Sequence, residues 1–179
     1  MLVAPGVPSG LDVRYSPPSD LGSDRLVDAV AAVERFGAPV VVVDLGTATT
    51  LSAVDDGRRF VGGAVAAGLG TGADALVRAG ARLRSIDLAG DGTPSALGRT
   101  TEQALRAGLI HGHAGLVAGL LRRIEAELIE DDGPRPTVVA TGGWSERVAP
   151  LVPRIDHRCP DLILDGLRIL WSRAGRDAA

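Results

Sequence analysis

The run Val40-Val41-Val42-Val43-Asp44-Leu45-Gly46-Thr47-Ala48-Thr49-Thr50 limits what this chain can fold into more than any other stretch. Its consecutive valines predict a strand buried on both faces. Asp44 falls where that strand ends, so its charge stays near solvent while the valines remain dry. Gly46 allows a tight turn and close approach of another group to the backbone. Thr47, Thr49 and Thr50 add hydroxyls and backbone N–H donors suited to phosphate oxygens, and the neighbouring carboxylate can hold a cation. Taken alone, a buried strand followed by a polar turn accounts for the same residues.

Composition narrows the classes. A chain of 179 residues is one domain, or one domain plus part of another. With 45% hydrophobic and 3% aromatic residues, its core is aliphatic. A net charge of −3 argues against nucleic-acid binding, which usually needs a basic face. Cys159 is the single cysteine, so no disulfide framework is expected and a reducing cytoplasm is the natural location. The first residues lack the pattern of a signal peptide, and no apolar run approaches the length of a membrane span, so no membrane contact is expected.

Asp-x-Gly-Thr-x-Thr after an apolar strand resembles the phosphate-binding hairpin of the sugar-kinase and actin superfamily. Asp44 to Thr50, read with its neighbours, resembles the type III pantothenate kinase family. The resemblance implies an α/β, ribonuclease H-like fold with a mixed sheet flanked by helices. It also implies ATP-dependent phosphorylation of pantothenate, with ATP, Mg²⁺ and a monovalent cation (K⁺ or NH₄⁺) as cofactors, and a homodimer. Asp44 would be the metal ligand, and Gly46, Thr47 and Thr49 the phosphate cradle.

Residues 1 to 20 are rich in Gly and Pro and predict an extended or looped entry. Leu21-Gly22-Ser23-Asp24-Arg25 then opens a helix whose apolar face is Leu26, Val27, Val30, Ala31 and Val33, ended by Gly37 and Pro39. An acid in the first turn suits the helix dipole, which explains Asp24 structurally, but an arginine there gains nothing from it. Gly22, Asp24 and Arg25 match the family's Gly-x-Asp-Arg, which implies Asp24 as general base and Gly22 and Arg25 as substrate contacts. Tyr15 is a further candidate for that pocket.

Asp55-Asp56-Gly57 between short apolar runs predicts a hairpin turn. Gly62 to Gly70 resembles a substrate-side loop of the family, with Ala67 where a proline is usual. A helix is expected from Gly70 to Gly80 with Ala73, Leu76 and Val77 inward, and Arg78, Arg82 and Arg84 form a solvated basic cluster. Thr100 and Gln103 fit a capping box for the longest helix, whose apolar stripe is read as Leu105, Leu109, Leu116, Leu120, Leu121, Ile124 and Leu128. Gly108, Gly112, Gly115 and Gly119 suggest a face that another helix or subunit approaches. By resemblance, Thr101 completes the pantothenate pocket of the neighbouring protomer. His111 and His113 lie two apart on this helix and share no face, which argues against a metal site.

Pro136 to Gly143 is a second strand running into glycines, and Thr141, Gly142 and Gly143 resemble the turn that faces the adenosine of ATP. A short helix over Ser145 to Val152 and a terminal helix through Trp171 follow. Residues 1–37 are read as a remnant of a first ribonuclease H-like domain and 38–179 as the carboxy-terminal one. The family's opening Asp-x-Gly-Asn-Thr strand has no match, which leaves two further expectations: an inactive truncated relative, or a regulatory or scaffold protein.

Overall fold

A computed structural model describes residues 8–80, 87–90, 92–129 and 133–176. Arg82 and Arg84 of the expected basic cluster lie outside the described residues. The sheet contains β1 (Asp12–Val13), β2 (Val40–Leu45), β3 (Ala48–Val54), β4 (Arg59–Ala67), β5 (Thr137–Thr141) and β6 (His157–Arg158), in the order β1-β4-β3-β2-β5-β6. Strands β2, β3 and β4 form an antiparallel meander, while β5 runs parallel to β2 and β6 parallel to β5. This mixed sheet flanked by helices is the α/β, ribonuclease H-like arrangement expected.

Alternation along the strands divides the core. Val40 and Val42 join Val54, Phe60 and Val139 under α1 (Ser23–Phe36) and α5 (Leu162–Arg176). Val41, Val43 and Leu45 join Leu51, Ala53 and Val138 on the other face. That face is covered by α2 (Leu69–Ala79), α3 (Thr101–Leu128) and α4 (Ser145–Val148). Because both faces are covered, β2 reads as unbroken valine rather than as an apolar–polar alternation.

Local signals set several boundaries. Gly37, with φ +82°, caps the carboxyl end of α1, its N–H donating to the Val33 carbonyl (2.9 Å). At the β3–β4 turn the Arg58 N–H donates to the Asp55 carbonyl (3.0 Å) and the Arg59 N–H to Asp55 Oδ1 (2.9 Å), so the expected hairpin forms. At α3, Gln103 N–H donates to the N-cap Thr100 Oγ1 (3.2 Å), and Gln103 Oε1 accepts from Arg99 N–H (2.9 Å), one residue before the N-cap, so the expected capping box forms with its return bond shifted by one residue.

Four expectations need correction. Gly62 to Ala67 is not a loop but the second half of β4, because Gly62 to Ala67 stay in register with Ala53 to Ala48. The inward face of α3 is Ala107, Ile110, His113, Ala114, Val117 and Leu121; Leu116 is exposed, and Leu105 and Leu109 are half-buried. Leu76 of α2 is likewise exposed, and Leu69 and Ala73 carry the packing. With 28 residues and a mean hydropathy of 1.2 over its most apolar window, α3 meets the length and composition of a membrane span, although the sequence led us to expect no run of that length. Its packing against the sheet gives that apolar character a use within the fold.

Candidate functional site

Asp44 and Thr141 end β2 and β5 side by side, at the carboxyl ends where ligands bind in open α/β sheets. Gly142 has φ +85°, and a Cβ on it would lie 2.3 Å from Asp44 Oδ1 and 2.6 Å from the Leu45 carbonyl carbon. Only glycine lets the second strand end lie against the first. Trp144 N–H then donates to the Leu45 carbonyl (2.9 Å), tying the two turns together.

The Gly46–Thr47 turn is fixed from the other side. Gly68 N–H (3.0 Å) and Thr71 Oγ1 (2.6 Å) both donate to the Thr47 carbonyl, and a Cβ on Gly68 would meet the Gly46 carbonyl oxygen at 2.3 Å. The start of α2 therefore sits directly on the hairpin. Strand alternation separates its threonines: Thr50 pairs with Asp44 on the α1 face, whereas Thr49 pairs with Leu45 on the α3 face. The Thr49 hydroxyl is fully buried and lies 2.9 Å from His113 Nε2. It does not open toward Asp44.

On the α1 face the charged groups gather. Asp24 Oδ1 accepts from Arg25 N–H (2.8 Å), and a Cβ on Gly22 would lie 2.5 Å from that same oxygen. Gly22 thus makes room for the carboxylate. The Arg25 side chain is buried, its Nε donating to Ser52 Oγ (3.0 Å) and its Nη1 to the Tyr15 hydroxyl (3.4 Å). Its guanidinium carbon stands 5.3 Å from the Tyr15 ring centre and 5.5 Å from that of Phe60. Among the described residues Nη2 has no hydrogen-bond partner, which leaves a buried cationic donor for an arriving acceptor. Gly63, paired with Ser52, leaves space beside it: a Cβ there would be 3.2 Å from Nη2 and would collide with the Leu51 carbonyl.

Negative charge accumulates at the same place. Burial, and after it the charge of Asp24, push the Asp44 carboxyl above its ordinary range. Asp28, one turn beyond Asp24, is 3% exposed and its Oδ1 has no partner among the described residues. Burial, then Asp44, then Asp24 raise its pKa to about 7. Asp28 and Ser52 are not among the residues the sequence singles out, whereas Thr50 is named there with Thr47 and Thr49. The signal for Asp28 was a carboxylate inside the apolar run Leu26 to Val33, spaced four from Asp24.

Gly22, Asp24, Arg25 and Tyr15 therefore come together with Asp44, while Gly46, Thr47, Thr141 and Gly142 form the adjoining floor. Thr141 is buried, its hydroxyl donating to the Pro160 carbonyl (3.4 Å). Gly143 is exposed and borders a cavity of ≈ 380 Å³ lined by Ala89, Gly92, Trp144, Glu146 and Arg147. Arg147 closes one side of it by donating to the carbonyls of Ala89, Gly90 and Gly92. Thr101 is not part of this group: it is exposed at the first turn of α3, the helix across the sheet from α1. No three His, Cys, Asp or Glu side chains among the described residues form a metal-binding group, and His111 instead bonds the Pro94 carbonyl (2.8 Å).

The type III pantothenate kinase family model matches residues 1–123. A type III pantothenate kinase of Thermomicrobium roseum is 44% identical over 167 residues, covering 93% of this chain and 62% of that protein. One from Gluconobacter oxydans is 46% identical over 165 residues, covering 92% of this chain and 58% of that protein. The chain thus spans less than two thirds of the length of these relatives. A solved structure described as a Baf family transcriptional activator from Campylobacter jejuni shares the fold, with a TM-score of 0.62 at 19% identity, over 93% of this chain and 69% of that one. By the family match and these identities, the chain belongs to the type III pantothenate kinase family.

Proposed function

We propose that this chain transfers the γ-phosphoryl group of ATP to the hydroxyl of pantothenate, giving ADP and 4′-phosphopantothenate, the opening step of coenzyme A synthesis. The observation that carries the reading is the pairing of Asp24 with the buried Arg25, whose Nη2 is unpartnered, beside the strand end bearing Asp44. Asp24 accepts the hydroxyl proton as the oxygen attacks phosphorus. Arg25 supplies its spare N–H to the substrate, and Gly22 and Tyr15 hold these two side chains in place. The Gly46 N–H closes the hairpin on the Ala48 carbonyl (3.0 Å), so Gly46 shapes the turn and the Thr47 N–H receives phosphate oxygens, with Thr50 rather than the Thr49 hydroxyl on the side of Asp44. Gly142 and Gly143 face adenosine, next to the cavity beyond Trp144.

Excess negative charge at Asp44, with the orphaned oxygen of Asp28 nearby in the field of the same groups, fits a monovalent cation (K⁺ or NH₄⁺) held by Asp44. With no three-residue acidic cage among the described residues, Mg²⁺ arrives with the ATP phosphates. Bound there, these cations would supply neutralisation of phosphate charge. Residues 1–37 represent the end of a first domain and 38–179 the second. A homodimer places the glycine-bearing face of α3 and Thr101 at the subunit contact, where Gly108, Gly112 and Gly115 leave open space. The protein works in the cytoplasm.

The test is mass-spectrometric detection of 4′-phosphopantothenate from ATP and pantothenate in K⁺ and Mg²⁺ buffer. Product that requires both substrates supports the reading. A folded, soluble chain that makes none overturns it and favours the inactive relative.

A further inference from the structure

The Thr49–His113 pair joins the phosphate-side hairpin to the middle of α3, and the proposed reaction leaves it unused. Both residues are buried, the threonine completely, and their side chains meet at 2.9 Å among Leu51, Ile110, Ala114 and Val117. Burying an imidazole and a hydroxyl is unfavourable unless each satisfies the other, and an aliphatic pair would fill the space without that demand. Such a bond adds direction rather than packing. Burial pushes the His113 pKa down, so the ring is neutral near pH 7. A neutral imidazole offers one donor and one acceptor nitrogen, and the threonine hydroxyl can complete either arrangement.

The turn beside it is already fixed from above by Gly68 and Thr71 on the Thr47 carbonyl, and laterally by Trp144 on the Leu45 carbonyl. Thr49, at the start of β3, is the point at which α3 holds it. From this geometry we infer that His113 is a positioning residue. By holding Thr49 it sets the height and orientation of the Gly46–Thr47 turn relative to Asp44, and so the affinity of this site for nucleotide phosphates. The inference rests on the proposed role of that turn in holding phosphate. It assigns the Thr49 side chain to support and the turn backbone to contact.

The test uses the whole chain, calorimetric titration with Mg²⁺·ADP, and hydrogen exchange of the 46–49 amides without nucleotide. His113→Leu and Thr49→Val each weaken ADP about tenfold, the loss of one buried hydrogen bond. The double variant is no weaker than the worse single one, and His113→Gln recovers most of the affinity. In the free protein the same two variants speed exchange at 46–49 while α5 amides keep their wild-type rates. Additive losses, or unchanged ADP affinity in a folded Thr49→Val protein, overturn the inference. If the wild type binds no ADP, the phosphate role of the turn fails. Exchange then decides the strut alone: faster exchange at 46–49 sustains it, and unchanged exchange overturns it.

Discussion

The two faces of the sheet carry the same aliphatic packing but opposite treatment of charge. Under α1 and α5, the start of α1 exposes Asp24, the end of β2 half-buries Asp44, and Asp28 and Arg25 of α1 keep unsatisfied atoms among the described residues. Under α2 and α3, the polar side chains near the same hairpin are paired, Thr49 with His113 and Thr71 with the Thr47 carbonyl. One face stores electrostatic demand that incoming ligands can relieve; the other holds the hairpin still. Unsatisfied polar atoms are costly, so their concentration on one face marks where ligands are handled.

That contrast can be broken by removing the demand. Asp28→Asn should stabilise the protein at pH 8, by roughly 4 kcal/mol at most for a shift of this size. The folded-state pKa is raised, so the protonated acid is favoured in the fold. The penalty is absent below pH 3.8, grows as pH rises, and is complete above about 7. Urea denaturation of both proteins at pH 4 and pH 8 checks this; an equal difference at both would refute the buried-acid account. Gly142→Ala places a methyl group on Asp44 at φ +85° and should cost about 2–3 kcal/mol, read from the same denaturation curves.

The opposite face predicts the opposite pH sense. His113 has a lowered pKa, so its contribution is intact above the unfolded value of 6.5 and is lost as pH falls through the folded one. Stability should decline on acidification from pH 7, and His113→Gln should flatten that decline. The smallest effect sharpens the contrast by lying outside both faces: Thr100→Ala removes the α3 cap and should cost about 1 kcal/mol without altering ligand affinity.

Much of the site was legible because it depends on local chemistry. A valine run ending in Asp-x-Gly-Thr, a helix opening on Gly-x-Asp-Arg, an Asp-Asp-Gly turn and a Thr-Gly-Gly strand end each declare themselves within a few residues. What stayed hidden depends on which way a side chain turns. Thr49 and Thr50 are indistinguishable in sequence, and only the pleat of β3 assigns one to His113 and the other to the side of Asp44. Helix α3 carries apolar residues all round, so its inward face follows from contact with the sheet rather than from its leucines. The glycines of β4 read as a loop because glycine weakens strands, yet Gly63 is there to clear the Leu51 carbonyl and Arg25.

The central claim is that the α1 face performs the chemistry through Asp24. Its most direct test is the single-turnover rate of 4′-phosphopantothenate formation at saturating ATP and pantothenate, wild type against Asp24→Asn. The account predicts a fall of at least ~100-fold, the usual contribution of a positioned general base, with ADP affinity within about twofold of wild type. A variant that turns over at the wild-type rate would contradict it.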